Sequence, residues 1–381
     1  EVRQVALSAD GRRVVSASED GSARIWDSGG SAFQRYVFEE PQGRVVELSL
    51  SSDGTRLVVA TLDGELLIYD VSTAGAYTLL HRRDFEEGIL GTDISPDDTM
   101  LAVSTSEHPD DDGTGGVIHL LDLASAEVMQ TLEGHTAGVR DFDFHPNGRI
   151  GASGGDEQDI GNQRILIWDL ETGEIIHELR GHEDWVLAVE FSPDGERLLS
   201  GSAKFDVIEW DWQNEAIIQR LWKQGNGVGH DSFVWDVAYH PSGESALSVS
   251  DDQTIIWWDL AAGEMMRQFS ADDGGHTAPV LRVVWSPDGD TFLSASRDQS
   301  ALLWDANTGQ HAQRLAGHEN AVWGLAFTPD SSRAFTSSND GTAREWLLIP
   351  QRDALIAFAQ QARYSAPLDA SMINYNALQA D

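Results

Sequence analysis

One short turn signature, repeated eight times, constrains the fold of this chain more than any other feature. LSADG begins at Leu7, LSSDG at Leu50, ISPDD at Ile94 and FHPNG at Phe144; FSPDG follows at Phe191, YHPSG at Tyr239, WSPDG at Trp285 and FTPDS at Phe327. Each copy lies between two alternating apolar segments, as at 197–201 and 291–295, which is the pattern of a β-hairpin. A second signature tracks the first. An aromatic or apolar residue precedes Asp at Trp26–Asp27, Tyr69–Asp70, Leu121–Asp122, Trp168–Asp169, Trp210–Asp211, Trp258–Asp259 and Trp304–Asp305, and Trp346 takes the eighth position. These pairs recur every 42 to 52 residues, the period of a repeat architecture. A third signature, Gly-His, falls at His135, His182, His230, His276 and His318.

With these three signals in register, residues 1–349 resemble WD40 repeat proteins of the bacterial type. The resemblance implies an all-β fold, a β-propeller of four-stranded blades around a central channel. Eight copies of the turn predict eight blades, with repeats at 1–42, 43–87, 88–133, 134–180, 181–228, 229–274, 275–316 and 317–349; seven blades plus a divergent extra repeat is the alternative. In that family the Gly-His histidine, a hydroxyl on the second strand, a turn Asp and the third-strand Trp form a buried hydrogen-bonded tetrad. The matching residues are His230, Asp252 and Trp258, then His276, Asp298 and Trp304, then His318, Asp340 and Trp346. A buried imidazole needs partners for both nitrogens, so these groups are expected to staple blades together and not to perform catalysis. Lys204 stands where the fifth repeat should carry Asp, which predicts an incomplete tetrad around His182 and Trp210. The first three repeats have no Gly-His.

After Pro350, the segment 353–364 reads as a short amphipathic helix with Asp353 as its N-cap, the start of a helical tail over 350–381. Because the chain opens inside a patterned segment, a strand completing the last blade is expected upstream of Glu1. The chain then reads as part of a larger polypeptide or complex, and the tail resembles those ending bacterial proteins in which a propeller follows an NTPase or kinase domain. That makes a sensor module of a signalling protein the second functional reading.

Composition narrows the partners. The chain has 63 acidic and 25 basic residues, a formal net charge of −38, and no cysteine. Such a surface repels phosphate backbones and anionic lipid, so nucleic acid is not an expected partner. No apolar run approaches the ~18 residues of a membrane helix, and a cytoplasmic location is expected. Disulfides, Cys-ligated metals and cysteine nucleophiles are excluded. Gly151-Ala-Ser153-Gly-Gly155 matches G-x-S-x-G but sits at a strand end with no helix behind it, where a nucleophile elbow cannot form. His182 follows His177-Glu178 one residue too far on for the zinc-binding spacing. No enzyme is specified and no cofactor is expected; a propeller enzyme using channel residues is the remote alternative. Asp110, Asp111 and Asp112, in a glycine-rich insertion at 106–116, are weak calcium candidates without EF-hand spacing.

The family register also locates a recognition face. The residue after the first valine of each repeat's opening strand points toward the channel mouth in that family. Here these are Arg3, Val46, Leu90, Arg140, Leu187, Trp235, Leu281 and Trp323, with Trp185 and Phe233 just ahead of two of the strands. Trp and Arg are frequent interface hot spots. The expected function is a non-catalytic scaffold that docks a protein or peptide on this top face, with acidic flanks that bias it toward a basic partner.

Overall fold

The computed structural model describes residues 34–107, 115–157, 163–222 and 228–348, together with the backbone of strands Val2–Leu7, Arg13–Ser18 and Ala23–Asp27. The larger of two compact units, Phe33–Leu348, contains seven four-stranded antiparallel sheets. Blade 1 spans 45–84, blade 2 88–132, blade 3 139–180, blade 4 186–221, blade 5 234–269, blade 6 280–316 and blade 7 322–347. In each, strands a to d run outward from the axis. The inner strands of consecutive blades touch all the way round, and that of blade 7 returns to that of blade 1. The unit is therefore a closed ring of seven.

This corrects the expectation of eight blades in favour of seven plus an extra repeat. Blade 7 supplies only three strands of its own. Its fourth is Gln34–Phe38, which pairs antiparallel with Ala343–Leu347 in the register Phe38↔Ala343, Val37↔Arg344 and Tyr36↔Glu345. The closing strand thus comes from the end of the first repeat's span, 1–42, and not from upstream of Glu1. Its anchor is aromatic. Phe38 is fully buried, stacked on Tyr77 at 5.3 Å and edge-on to Tyr69 at 4.8 Å, with Phe335 beyond at 6.3 Å. The first repeat forms a separate three-stranded antiparallel sheet, Val2–Leu7, Arg13–Ser18 and Ala23–Asp27. Arg3 belongs to that sheet and not to the ring. The tail helix over 353–364 and Asp110, Asp111 and Asp112 lie outside the described residues.

Burial follows position in the blade. Strand b is covered on both faces by neighbouring blades, so Ser245–Ser250 is buried throughout and its sequence runs on apolar and small residues without alternation. Strand d is the outer edge, and Glu264–Phe269 alternates between exposed and covered. The repeated turn signature joins strands a and b. Its final residue takes a left-handed conformation, at Gly195 with φ 74° and Gly289 with φ 75°. Asp98 and Ser331 hold φ near 57° and 55° in the two copies that lack the glycine, so the turn is kept at a small backbone cost.

A candidate docking face at the channel mouth

Five hydrogen-bonded tetrads fix the loops of one face. In blades 3 to 7 a histidine ahead of strand a bonds a strand-b hydroxyl through Nε2, and that hydroxyl also accepts the indole N–H of the strand-c Trp. The sets are His135–Ser153–Trp168, His182–Ser200–Trp210, His230–Ser248–Trp258, His276–Ser294–Trp304 and His318–Thr336–Trp346, all between 2.6 and 2.8 Å. Nδ1 of each histidine meets a carboxylate at 2.9 to 3.0 Å: Glu157, Asp206, Asp252, Asp298 and Asp340 in turn. Burial pushes these carboxyls up, but the imidazole and its hydrogen bonds outweigh that. Glu157 falls to about 2, and the four aspartates are lowered. The blade 4 tetrad is complete, contrary to expectation, because Asp206, two positions beyond Lys204, supplies the carboxylate. Ser153, the serine of the G-x-S-x-G string, is a tetrad hydroxyl.

Seven of the ten sequence-selected top-face residues converge. Val46, Leu90, Arg140, Leu187, Trp235, Leu281 and Trp323, one from each blade, line a single cavity of about 200 Å3 at the channel mouth. Phe233 stands beside it, edge-on to Trp235 at 6.1 Å. Trp185 is half-buried and does not line the cavity.

A second ring went unread in the sequence. The residue just after strand b donates its backbone N–H to the segment ahead of strand a: Leu62 to Arg44, Asp156 to Gly138, Ala203 to Trp185, Asp251 to Phe233, Arg297 to Pro279 and Asn339 to Ala321. These turn residues partner the first ring. Asp156 pairs with Arg140, its Oδ2 2.6 Å from Nε, and Asp251 accepts the indole N–H of Trp235 at 3.1 Å. Blade 7 breaks the pattern. The indole N–H of Trp323 and Oδ1 of Asn339 occupy the equivalent places, both are buried, and neither has a hydrogen-bond partner. A buried polar group left unpaired costs ~1–3 kcal/mol. Here an unpaired donor and an unpaired acceptor are buried in two residues that line the same cavity.

Further along the same inner strands, a cavity of about 450 Å3 is lined by Asp93, Asp141, Asp143, Glu190 and Asp236 among others. Each of these carboxylates accepts a backbone N–H from the next blade's inner strand: Phe144, Val189, Phe191, Tyr239 and Val283, at 2.5 to 2.9 Å. An inner strand is a sheet edge with unpaired N–H groups, and the acids cap it. Burial raises Asp93 and Asp141 to about 7 and Glu190 to about 8, with Asp143 and Asp236 also well up. Arg282 is the cation among them; it pairs with Glu47 and approaches Asp236 at 3.6 Å, and burial lowers it to about 10. Among the described residues no group of three or more His, Asp or Glu side chains is disposed to hold a metal.

Fold and site together define a seven-bladed β-propeller with tetrad-stapled blades and a lined channel mouth. The family model for the WD domain, G-beta repeat, matches residues 1–27, 126–169, 173–211, 223–259, 266–305 and 309–346, more than half of the chain. The chain belongs to the WD40 repeat family, whose propellers are generally non-catalytic scaffolds for protein interaction. A comparison with curated proteins returned no match.

Proposed function

We propose that this propeller is a non-catalytic scaffold that docks an extended segment of a protein partner at the channel mouth. The observation carrying this reading is the cavity to which every blade contributes at least one residue, with Trp323 and Asn339 among those lining it. The rigid ring holds these side chains in position before a partner arrives. The surrounding Trp, Leu and Val side chains supply the apolar contact.

The test is a display library of random peptides panned against the wild type. Enriched clones are then measured on the Trp323→Ala, Arg140→Glu double variant, with thermal midpoints recorded for both proteins. The expected result is loss of at least tenfold in affinity, about 1.4 kcal/mol. Equal binding by the two proteins would contradict the reading.

A further inference from the structure

Blade 4 departs from its neighbours in a way that neither stability nor the tetrad requires. In blades 5 and 6 the b–c turn places Gln253 and Gln299 at φ 72° and 70°; in blade 4 the same place holds Phe205, also at φ 72°. A bulky aromatic in the left-handed region is strained, and this ring is 37% exposed. With the tetrad carboxylate at Asp206, Lys204 takes the place that Asp252 and Asp298 hold in blades 5 and 6.

Phe205 is the outer end of an aromatic track. Its ring lies 6.1 Å from Phe233, Phe233 lies 6.1 Å from Trp235, and Trp235 lies 5.9 Å from Trp323 in the central cavity. The steps nearly match the two-residue repeat of an extended chain, ~6.6 Å, so side chains at alternate positions of one strand would meet successive rings. Past Phe205 the track opens into a cavity of about 430 Å3 between blades 4 and 5, with Trp222 on its wall, 44% exposed. Three carboxylates line it, Glu183, Asp206 and Asp231, against two cations, Lys204 and Arg220. Asp206 and Arg220 pair with each other, and Arg220 covers the Trp222 ring at 5.9 Å. Glu183 is exposed and has no ion pair among the described residues. Among the described residues the groove is lined by one more carboxylate than cation, on a chain of charge −38.

Resting on the docking reading above, we infer that the bound segment runs outward from the mouth along Trp235, Phe233 and Phe205. It would carry apolar side chains at alternate positions and end with a basic residue in the groove beside Glu183 and Trp222. Charge complementarity selects the basic end, and an aromatic wall beside a carboxylate suits a guanidinium or ammonium group.

The probe is a second display library with three alternate positions fixed as apolar and the position two residues further on split between Arg/Lys and Asp/Glu. It is panned against the wild type and against Phe205→Gln, which adopts the residue that blades 5 and 6 already hold at this φ. The expected result is enrichment of basic over acidic ends by roughly tenfold, with a similar loss of affinity in Phe205→Gln; Glu183→Gln should reduce the preference for basic ends. The path is overturned if the patterned library gives no binders, or if its binders tolerate Phe205→Gln and acidic ends, while random-library binders still require Trp323. If no binder from either library depends on Trp323, the docking reading fails with it.

Discussion

Blades 3 to 7 and blades 1 and 2 reach the same four-stranded geometry by opposite chemistry. In the former, histidine, hydroxyl and tryptophan make a buried polar network, the histidine always eighteen residues ahead of the hydroxyl. The same spacing in blades 1 and 2 finds Pro41 with Val59 and Phe85 with Val103, and the tryptophan place holds Tyr69 and Leu121. Val59 and Tyr69 are buried in one apolar cluster; Val103 and Leu121 are buried in the next, with Phe85 packed against them. A polar network is stabilising when complete and costly when half-made, so the blades differ as whole sets and not residue by residue. The family model reflects the same divide, leaving 28–125 unmatched.

Mixing the two sets is the strongest way to break this comparison. Ser248→Val in blade 5 should strand His230 Nε2 and the Trp258 N–H, costing about 4 kcal/mol in denaturant unfolding. Adding His230→Phe and Trp258→Leu, the blade 2 set, should then cost less than the three single changes summed; strict additivity would count against the set argument. Phe38→Ala should cost about 3 kcal/mol, because blade 1 relies on the aromatic cluster that the closing strand completes. The converse graft, Val103→Ser in blade 2, should cost about 2 kcal/mol by burying a hydroxyl among apolar neighbours.

Acidity sharpens the comparison further. The tetrad carboxyls of blades 3 to 7 are lowered, so their stabilisation holds above the ordinary carboxylate range and fades as pH falls toward about 2 at Glu157. The channel carboxyls are raised by burial. Their contribution is therefore complete below the ordinary range and is lost as pH rises through about 7 for Asp93 and Asp141 and about 8 for Glu190. Thermal midpoints should decline on both sides of mildly acidic pH. Glu190→Gln, which keeps an acceptor for the Tyr239 N–H, should flatten the alkaline side alone.

Much of this was legible in the sequence because it is local. The a–b turn, the strand-c Trp and the residue after each opening valine sit at fixed offsets, and the last of these located seven lining residues of the mouth. Blade number was not legible, since it depends on a pairing between Gln34 and Arg344, 310 residues apart, and the turn count says nothing of which strand closes the ring. The blade 4 carboxylate was missed for a smaller reason: Asp206 reaches His182 from a turn whose offset differs by two. The second ring at the mouth, Asn339 included, could have been found from the residue that follows each strand b.

The most direct test of the seven-bladed ring is disulfide cross-linking in this cysteine-free chain. Val37→Cys with Arg344→Cys joins residues paired across the closing strand and should form an intramolecular disulfide in high yield. Val37→Cys with Arg24→Cys joins residues that would pair if Gln34–Phe38 were instead the fourth strand of the first repeat, and should not. The reverse result would contradict the closure on which the mouth cavity depends.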